Sequence, residues 1–491
     1  MSLEGSTETP AASPPAGSPA SPEREPSSRW TFREVPDATP PRTIVVVIVT
    51  CAIALFSAWL AMTFPPRPAA AMFLALVGGA LILFNPFLGV LAYYTLAFMR
   101  PQEVFWGFAD TRLTLLVSIS TLAATAFHFL RKPNLHFLRN AQCLFIGILW
   151  LFIFLSTQFG EFGGPEPKWV DYYNKMFLTI LIVLCLANSE KKLLVLSVVI
   201  GLSIGYLGVW ANEMYFLQGW HIVHGPGGPG ATFHDENDFA MVLVMAVPFL
   251  WYMMRASGNL LVKAGLVGLM GLVVHGVMLT FSRGGFLGVA ASMMLIALRE
   301  KNRVLGALLI IGGLSSFVLF TGTAYRARIG SINTYEEDQS ATGRFESWEA
   351  GQAMALHNPL FGVGLKRYVL AFPSYSSSTP RVAHNSWVQL GAECGLVALG
   401  AYAVLILLTI RSLLRVEKRM KFLTGDRKRL TQQLVRMFEA ALAGYLICGF
   451  FLSVEDFEFF YVLVAMVQVL DRITEQRARE DPLSPAALAA S

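Results

Sequence analysis

An all-α polytopic integral membrane protein is the fold class this sequence predicts, and three observations predict it. Hydrophobic residues make up 54% of the 491 positions and charged residues only 14%, with a mean hydropathy of +0.53, more apolar surface than a soluble core of this length needs. The apolar residues fall into runs that match the length of a bilayer-crossing helix. Between those runs the lysines and arginines gather in short clusters, which read as topology signals. The net charge of +5 therefore marks no nucleic-acid face, because no stripe of basic residues is built.

Taken in order, residues 1 to 40 are rich in Pro, Ser, Ala and Glu, with hardly any large aliphatics. Such a stretch cannot repay the entropy of ordering and reads as a disordered cytoplasmic tail. It is no signal peptide, because no apolar core follows a basic start. Spans follow near 43 to 64, 69 to 84, 87 to 99, 112 to 130, 141 to 158, 173 to 188, 193 to 212, 238 to 254, 260 to 281, 284 to 298, 304 to 322, 385 to 410, 434 to 452 and 457 to 470. That is about fourteen on a ruler of roughly 20 apolar residues per crossing. The pairs flanking Asn85-Pro86 and Arg283-Gly284 are short; as tilted or re-entrant segments they reduce the full crossings to about twelve. Residues 41 to 322 thus form one transmembrane bundle and 385 to 473 a further group of transmembrane helices. Cys51, Cys143, Cys185, Cys394 and Cys448 lie singly within apolar runs and read as reduced packing residues, with no disulfide framework.

Orientation follows from the short basic loops. With a cytoplasmic N-terminus, Arg131/Lys132/Arg139, Lys191/Lys192, Arg255/Lys263, Arg299/Lys301/Arg303, the basic loop 411 to 436 and the tail 474 to 491 all fall inside. The outer side receives Glu103, Glu161 to Asp171, Trp210 to Asn237, Arg283, Glu455/Asp456/Glu458 and the longest polar interval, 323 to 384. That interval reads as an extramembrane lid holding an active site against the bilayer surface.

Four motifs carry chemistry. In Thr280-Phe281-Ser282-Arg283-Gly284-Gly285 a permanent charge stands at the membrane rim, where it serves either as a snorkelling anchor or as an anion ligand. Paired glycines, which let a backbone come close to a ligand, favour the second. Gly343-Arg344-Phe345-Glu346-Ser347-Trp348 predicts an amphipathic helix that starts at Arg344 and lays Phe345, Trp348 and Met354 on the membrane surface. A cation in its first turn opposes the helix dipole, which makes sense for an anion ligand; the alternative is a salt bridge to Glu346 or Asp338.

His384 opens a span directly after the lid, either as a hydrogen-bonded anchor or as a catalyst or acceptor ligand. On the same face Gly391 and Gly395 give a GxxxG pattern for close helix contact, and Glu393, a charge inside a span, calls for a buried arginine partner. Upstream, the glycine-proline loop 225 to 230 leads through His234, Asp235 and Glu236 to a helix start at Asn237 or Asp238. Adjacent residues rarely face one metal, so capping or sugar-hydroxyl recognition is the reading there and no metal site is assigned.

Together, Ser282-Arg283-Gly284-Gly285, Gly343-Arg344 with Trp348, Asn358-Pro359-Leu360-Phe361-Gly362-Val363-Gly364, and His384-Asn385 followed by Glu393-Cys394-Gly395-Leu396 resemble the O-antigen ligase and polymerase superfamily of bacterial envelope proteins. Phe84-Asn85-Pro86-Phe87-Leu88-Gly89-Val90-Leu91, Trp106-Gly107-Phe108-Ala109 and the 225 to 230 loop resemble its exosortase-associated O-glycosylation ligase branch. The resemblance covers about residues 70 to 470. It implies a metal-independent, cofactor-free glycosyltransferase of the bacterial inner membrane that moves a glycan from polyprenyl (undecaprenyl) diphosphate to an acceptor hydroxyl on the periplasmic face. The partners it implies are that lipid-linked donor, a lipid, protein or glycan acceptor, and membrane lipids.

Residue by residue, it implies Arg283 and Arg344 on the diphosphate and His384 on the acceptor, with Asn385, Glu393, Asp235 and Asn237 as candidate substrate ligands. One departure is plain: the outer loop lacks the arginine that many members carry, so either the pair acts alone or Arg326, Arg328 or Arg381 substitutes. A repeat-unit polymerase uses the same donor chemistry. A transporter of lipid-linked sugars should instead carry inverted repeats and midplane charges, and this chain has neither signature.

Overall fold

The structure, a computed structural model, describes residues 77–101, 113–131, 140–164, 167–220, 222–226, 235–307, 311–312 and 339–480, all within one compact unit from Phe64 to Ser491. The 1 to 40 tail, the span at 43 to 64, half of that at 69 to 84, most of that at 304 to 322, His234, Arg326, Arg328 and Asp338 lie outside the described residues. The helices are α1 (Pro86–Met99), α2 (Leu113–Arg131), α3 (Ala141–Phe159), α4 (Pro167–Leu186), α5 (Glu190–Gln218), α6 (Glu236–Ala256), α7 (Leu260–Leu279), α8 (Arg283–Arg299), α9 (Gln339–His357), α10 (Tyr368–Ala371), α11 (Ser386–Arg419), α12 (Gly425–Phe451) and α13 (Glu458–Glu480). Among the described residues 8 helices are long and apolar enough to cross a membrane, and α1 is a shorter apolar helix. The chain is an all-α, multi-pass membrane protein.

Local chemistry sets the helix starts. Asn85 Oδ1 accepts from the Phe87 N–H at 3.3 Å ahead of Pro86, so the Asn-Pro pair is a capped helix start with proline where its missing N–H costs nothing. Asn140, Ser189 and Asn259 cap α3, α5 and α7 in the same way. Helix α6 is apolar on all sides and sits in the middle, with α5, α7, α8 and α12 packed around it, as an all-round hydrophobic helix must. Helix α11 packs against α3, α13 and the lid helix α9.

Several of the clustered basic residues do more than mark topology. Arg299 bonds Glu417 at 2.7 Å and Glu439 at 3.0 Å, Arg255 meets Glu300 at 3.2 Å, and Arg415 and Arg419 both grip Asp471. These pairs join α6, α8, α11, α12 and α13.

The lid from α9 to His384 has its own small core: Ala350, Met354, Val363, Tyr368, Ala371, Phe372 and Ala383, against Ala392 of α11. This corrects the expectation of a helix lying on the bilayer. Met354 is fully buried and Phe345 exposed, while Trp348 donates to the Ala383 carbonyl at 2.7 Å and packs on Phe450. Met354 is thus taken up by the lid core and Trp348 by the lid and α12, while Phe345 alone of the three stays exposed. Helix α9 also begins at Gln339, so Arg344 stands in its second turn and not at its start.

Helix α11 is broken at Gly395, where φ is 84° and ψ 171°. The turn of the Asn358-Pro359 motif crosses the break: Val363 and Gly364 donate to the Ala392 and Glu393 carbonyls at 2.8 and 3.0 Å, and Leu396 donates to the Pro359 carbonyl at 2.7 Å. Backbone groups freed inside an apolar bundle must find partners, and the lid supplies them. Gly395 is therefore a kink that admits the backbone of Leu360, not half of a GxxxG contact between helices. On its other side the turn is clamped to the α3–α4 loop, where Glu161 and Phe162 donate to Gly362 and Val363 and Glu161 accepts from Asn358 at 2.7 Å and from Tyr375.

Candidate active site

Three helix N-termini converge beneath the lid, and each is capped by a side chain from a motif. Asp235 accepts from the Asn237 and Asp238 N–H groups at 2.8 and 3.3 Å, so that α6 starts at Glu236, one or two residues before the expected start. Ser282 accepts from Gly285 at 3.1 Å at the head of α8 and donates to Asn237 Oδ1 at 2.7 Å. Asn385 accepts from Trp387 and Val388 at 2.9 and 3.2 Å at the head of α11 and donates to the Phe450 carbonyl at 3.1 Å. Ser386 donates to the Leu452 carbonyl and accepts from the Val454 N–H, both at 2.9 Å. The segment leaving α12 is thereby stitched to the His384 motif. The positive ends of three helix dipoles face this region.

Between them lies a cavity of about 260 Å³, lined by Asp235, Asn237, Asp238, Lys366, Tyr368, Val369, Val382, His384, Gln389, Glu393, Leu452 and Ser453. That is a little below the ~300–1,000 Å³ of pockets enclosing a drug-sized ligand, and suits one sugar-sized group. Four expected residues meet here: His384, Asp235, Asn237 and Glu393. The arginine partner expected for Glu393 is absent from its hydrogen bonds. Its carboxylate accepts instead from Gln389 Nε2 at 2.6 Å and from the Lys366 backbone N–H at 2.8 Å, because the break in α11 delivers lid backbone to the place where a charged partner was expected.

Among the described residues four other than glycine have left-handed backbone: Arg100 at φ 50°, away from the cavity lining, and His384, Phe281 and Lys366 at 46°, 55° and 57°. Left-handed backbone in residues other than glycine is uncommon and clusters where surrounding structure imposes it, often at functional sites. His384 and Lys366 line the cavity, and Phe281 precedes Ser282-Arg283. Burial pushes the His384 pKa below the ordinary histidine value; Arg344 and Arg381 lower it further, while Asp235 and Glu236 pull the other way. The imidazole is thus neutral and proton-accepting at neutral pH, with guanidinium groups and carboxylates both in its field.

The arginines do not line the cavity. Arg381 lies against Gly343, the residue before Arg344, where an added Cβ would collide with its guanidinium. Arg283 is the half-buried first residue of α8. Its neighbours reach the cavity wall: Ser282 through Asn237, and Gly284 through close approach to Leu452. Asn385 is a buried cap next to the cavity.

The cavity is also lined by residues not expected as ligands: Asp238, Lys366, Gln389 and Ser453. Of these Asp238 reads in the sequence only as a helix start, and Gln389 carries a signal in its position one helical turn before Glu393.

Residues 268–403 match the model of the O-Antigen ligase family. No curated protein and no solved structure matches the chain. The matched stretch runs from within α7 to within α11 and contains Arg283, Arg344, Arg381, His384, Asn385 and Glu393. It supports the superfamily resemblance, while the likeness to the exosortase-associated branch rests on sequence motifs alone.

Proposed function

We propose that the protein is a glycosyltransferase of the O-antigen ligase kind, which moves a glycan from a polyprenyl diphosphate carrier to an acceptor hydroxyl at the outer membrane face. One observation carries the reading: inside the family-matched stretch, a strained, neutral His384 stands in a cavity wall with Arg344 and Arg381 in its field. The carboxyl and amide groups of Asp235, Asn237, Asp238, Gln389 and Glu393 suit hydroxyl groups, and no arginine lines the cavity to meet a diphosphate. The cavity therefore takes the acceptor, and the diphosphate lies toward the arginines and the helix N-termini.

In the reaction the acceptor oxygen bonds to the sugar's anomeric carbon and the bond from that carbon to the diphosphate breaks. The diphosphate leaves with the electron pair, and the hydroxyl proton passes to His384. Planar guanidinium forks match the departing charge through paired hydrogen bonds. Arg344→Lys, which keeps the charge and loses the fork, should therefore lower donor affinity by about 10-fold or more. Binding of the purified polyprenyl diphosphate glycan measures this, and unchanged affinity would remove Arg344 from the donor site.

The lowered pKa of His384 sets a pH signature. Activity should persist to a more acidic pH than an ordinary imidazole allows and fall as pH drops through that lowered value. Arg344→Gln removes a positive neighbour, raises the His384 pKa, and should move the acidic limb upward; an unmoved limb in a pH–rate profile contradicts the base role. Transfer is proposed to need no metal, so a chelator should leave the rate unchanged.

The proposed outer location has its own test. A cysteine at Ser377, exposed in the lid, should react with a membrane-impermeant thiol reagent in spheroplasts, and one at Thr424 should not. The reverse pattern sinks the outer-face site. A polymerase shares this chemistry, and glycan analysis of a deletion strain separates the two: intact polymer left on the carrier indicates a ligase, single repeat units a polymerase.

A further inference from the structure

Lys366 supplies the ammonium group among the cavity-lining residues, and its side chain is held at three points. Its Nζ lies 2.9 Å from Asp456 Oδ2 and 3.6 Å from Glu455 Oε1, in the turn between α12 and α13, and 4.6 Å above the ring of Trp169 on α4. Burial works against the ammonium, but Asp456, Glu455 and Glu393 more than offset it and hold its pKa well above the ordinary lysine range. The residue keeps a left-handed backbone, φ 57°, which a lysine adopts only when something holds it there. That conformation aims its N–H at Glu393 Oε2 at 2.8 Å, while Gln389 holds Oε1 at 2.6 Å and the Gly364 N–H holds the Glu393 carbonyl at 3.0 Å. The side chain is the anchor, and the backbone amide does the positioning.

We propose that Lys366 is a positioning residue for the transfer site: its ammonium, pinned by the α12–α13 turn, fixes the lid backbone that holds Glu393 in the cavity wall. The role in transfer rests on the reading given above; the latch itself does not. Because the ammonium of Lys366 is taken up by Asp456 at 2.9 Å, it works through Glu393 and not by touching donor or acceptor. Lys366 and Glu393 then act as one device, and their substitutions should not multiply.

The test compares the full-length wild type with Lys366→Met, Lys366→Arg, Glu393→Gln, Lys366→Met/Glu393→Gln and Arg477→Met. The last breaks another partly buried ion pair, to Glu190 at 2.7 Å, and controls for simple loss of stability. Lys366→Met should lower kcat about 10²-fold, the scale of an ångström misplacement, with KM for the lipid-linked donor nearly unchanged. The double variant should be no worse than the poorer single. Lys366→Arg, which keeps the charge and guards against a Lys366→Met protein that does not fold, should retain kcat within about tenfold. Hydrogen exchange, which needs no activity, should speed up at least about tenfold over residues 360 to 368 in Lys366→Met and stay unchanged there in Arg477→Met. Multiplying losses, a fall in activity that only tracks the amount of folded protein, or unchanged exchange at 360 to 368 overturns the proposal. A wild type that transfers nothing overturns the transferase reading, and the exchange result still decides the latch.

Discussion

His384→Asn is expected to cut glycan transfer by about 10²- to 10⁴-fold, the range a positioned general base supplies, while leaving donor binding intact. Asparagine is the informative replacement. It tolerates the left-handed backbone that His384 adopts at φ 46°, whereas His384→Ala adds strain of about 1 kcal/mol at the same position. Both variants should lose turnover alike, and the asparagine variant should keep its place in the membrane. The imidazole does not deprotonate the hydroxyl beforehand, since a hydroxyl is far too weak an acid; it accepts the proton as the carbon–oxygen bond forms. Retained binding with lost turnover identifies that role. Donor binding lost together with activity moves His384 into the diphosphate site.

The second large effect is structural. Gly362→Ala should destabilise the lid by about 2–4 kcal/mol and abolish activity, because two costs coincide there. The residue has φ 65°, and a Cβ would run into the Ala392 carbonyl oxygen and the Glu393 backbone. Nothing on either side is a flexible side chain that moves away cheaply. Gly425→Ala is the matched control: φ is 58° with nothing near the added carbon, so only the backbone strain remains, about 1 kcal/mol. Equal thermal shifts for the two variants would mean that the crossing of the lid turn over the broken helix does not matter to the fold.

These two positions also mark what a sequence states and what it leaves out. Hydropathy located the eight long apolar helices among the described residues, because a bilayer-crossing run is a long signal, but the helices at the expected spans 284 to 298 and 457 to 470 are not among them. His384, Asp235, Asn237 and Glu393 were legible as candidates because each is polar at the edge of an apolar run, and all four line one cavity. The break at Gly395 was not legible, since a lone glycine near another reads equally as a helix contact. Only the arrival of Val363 and Gly364 at the Ala392 and Glu393 carbonyls distinguishes the two. Lys366 was hidden for the same reason: its partners Asp456 and Trp169 are remote in sequence, and its contact with Glu393 is made by backbone, which every residue has. The lid's private core likewise follows from tertiary packing, which drew Met354 inward where amphipathic spacing pointed it at lipid.

The central claim is transfer itself, and reconstitution tests it most directly. The purified protein in liposomes, given polyprenyl diphosphate glycan extracted from its own membranes together with the membrane acceptor fraction, should convert the carrier to free polyprenyl diphosphate as the glycan appears on the acceptor. His384→Asn liposomes should bind the donor and release none. Glycan that stays joined to its carrier in wild-type liposomes, or that crosses the bilayer still attached to it, would contradict the account.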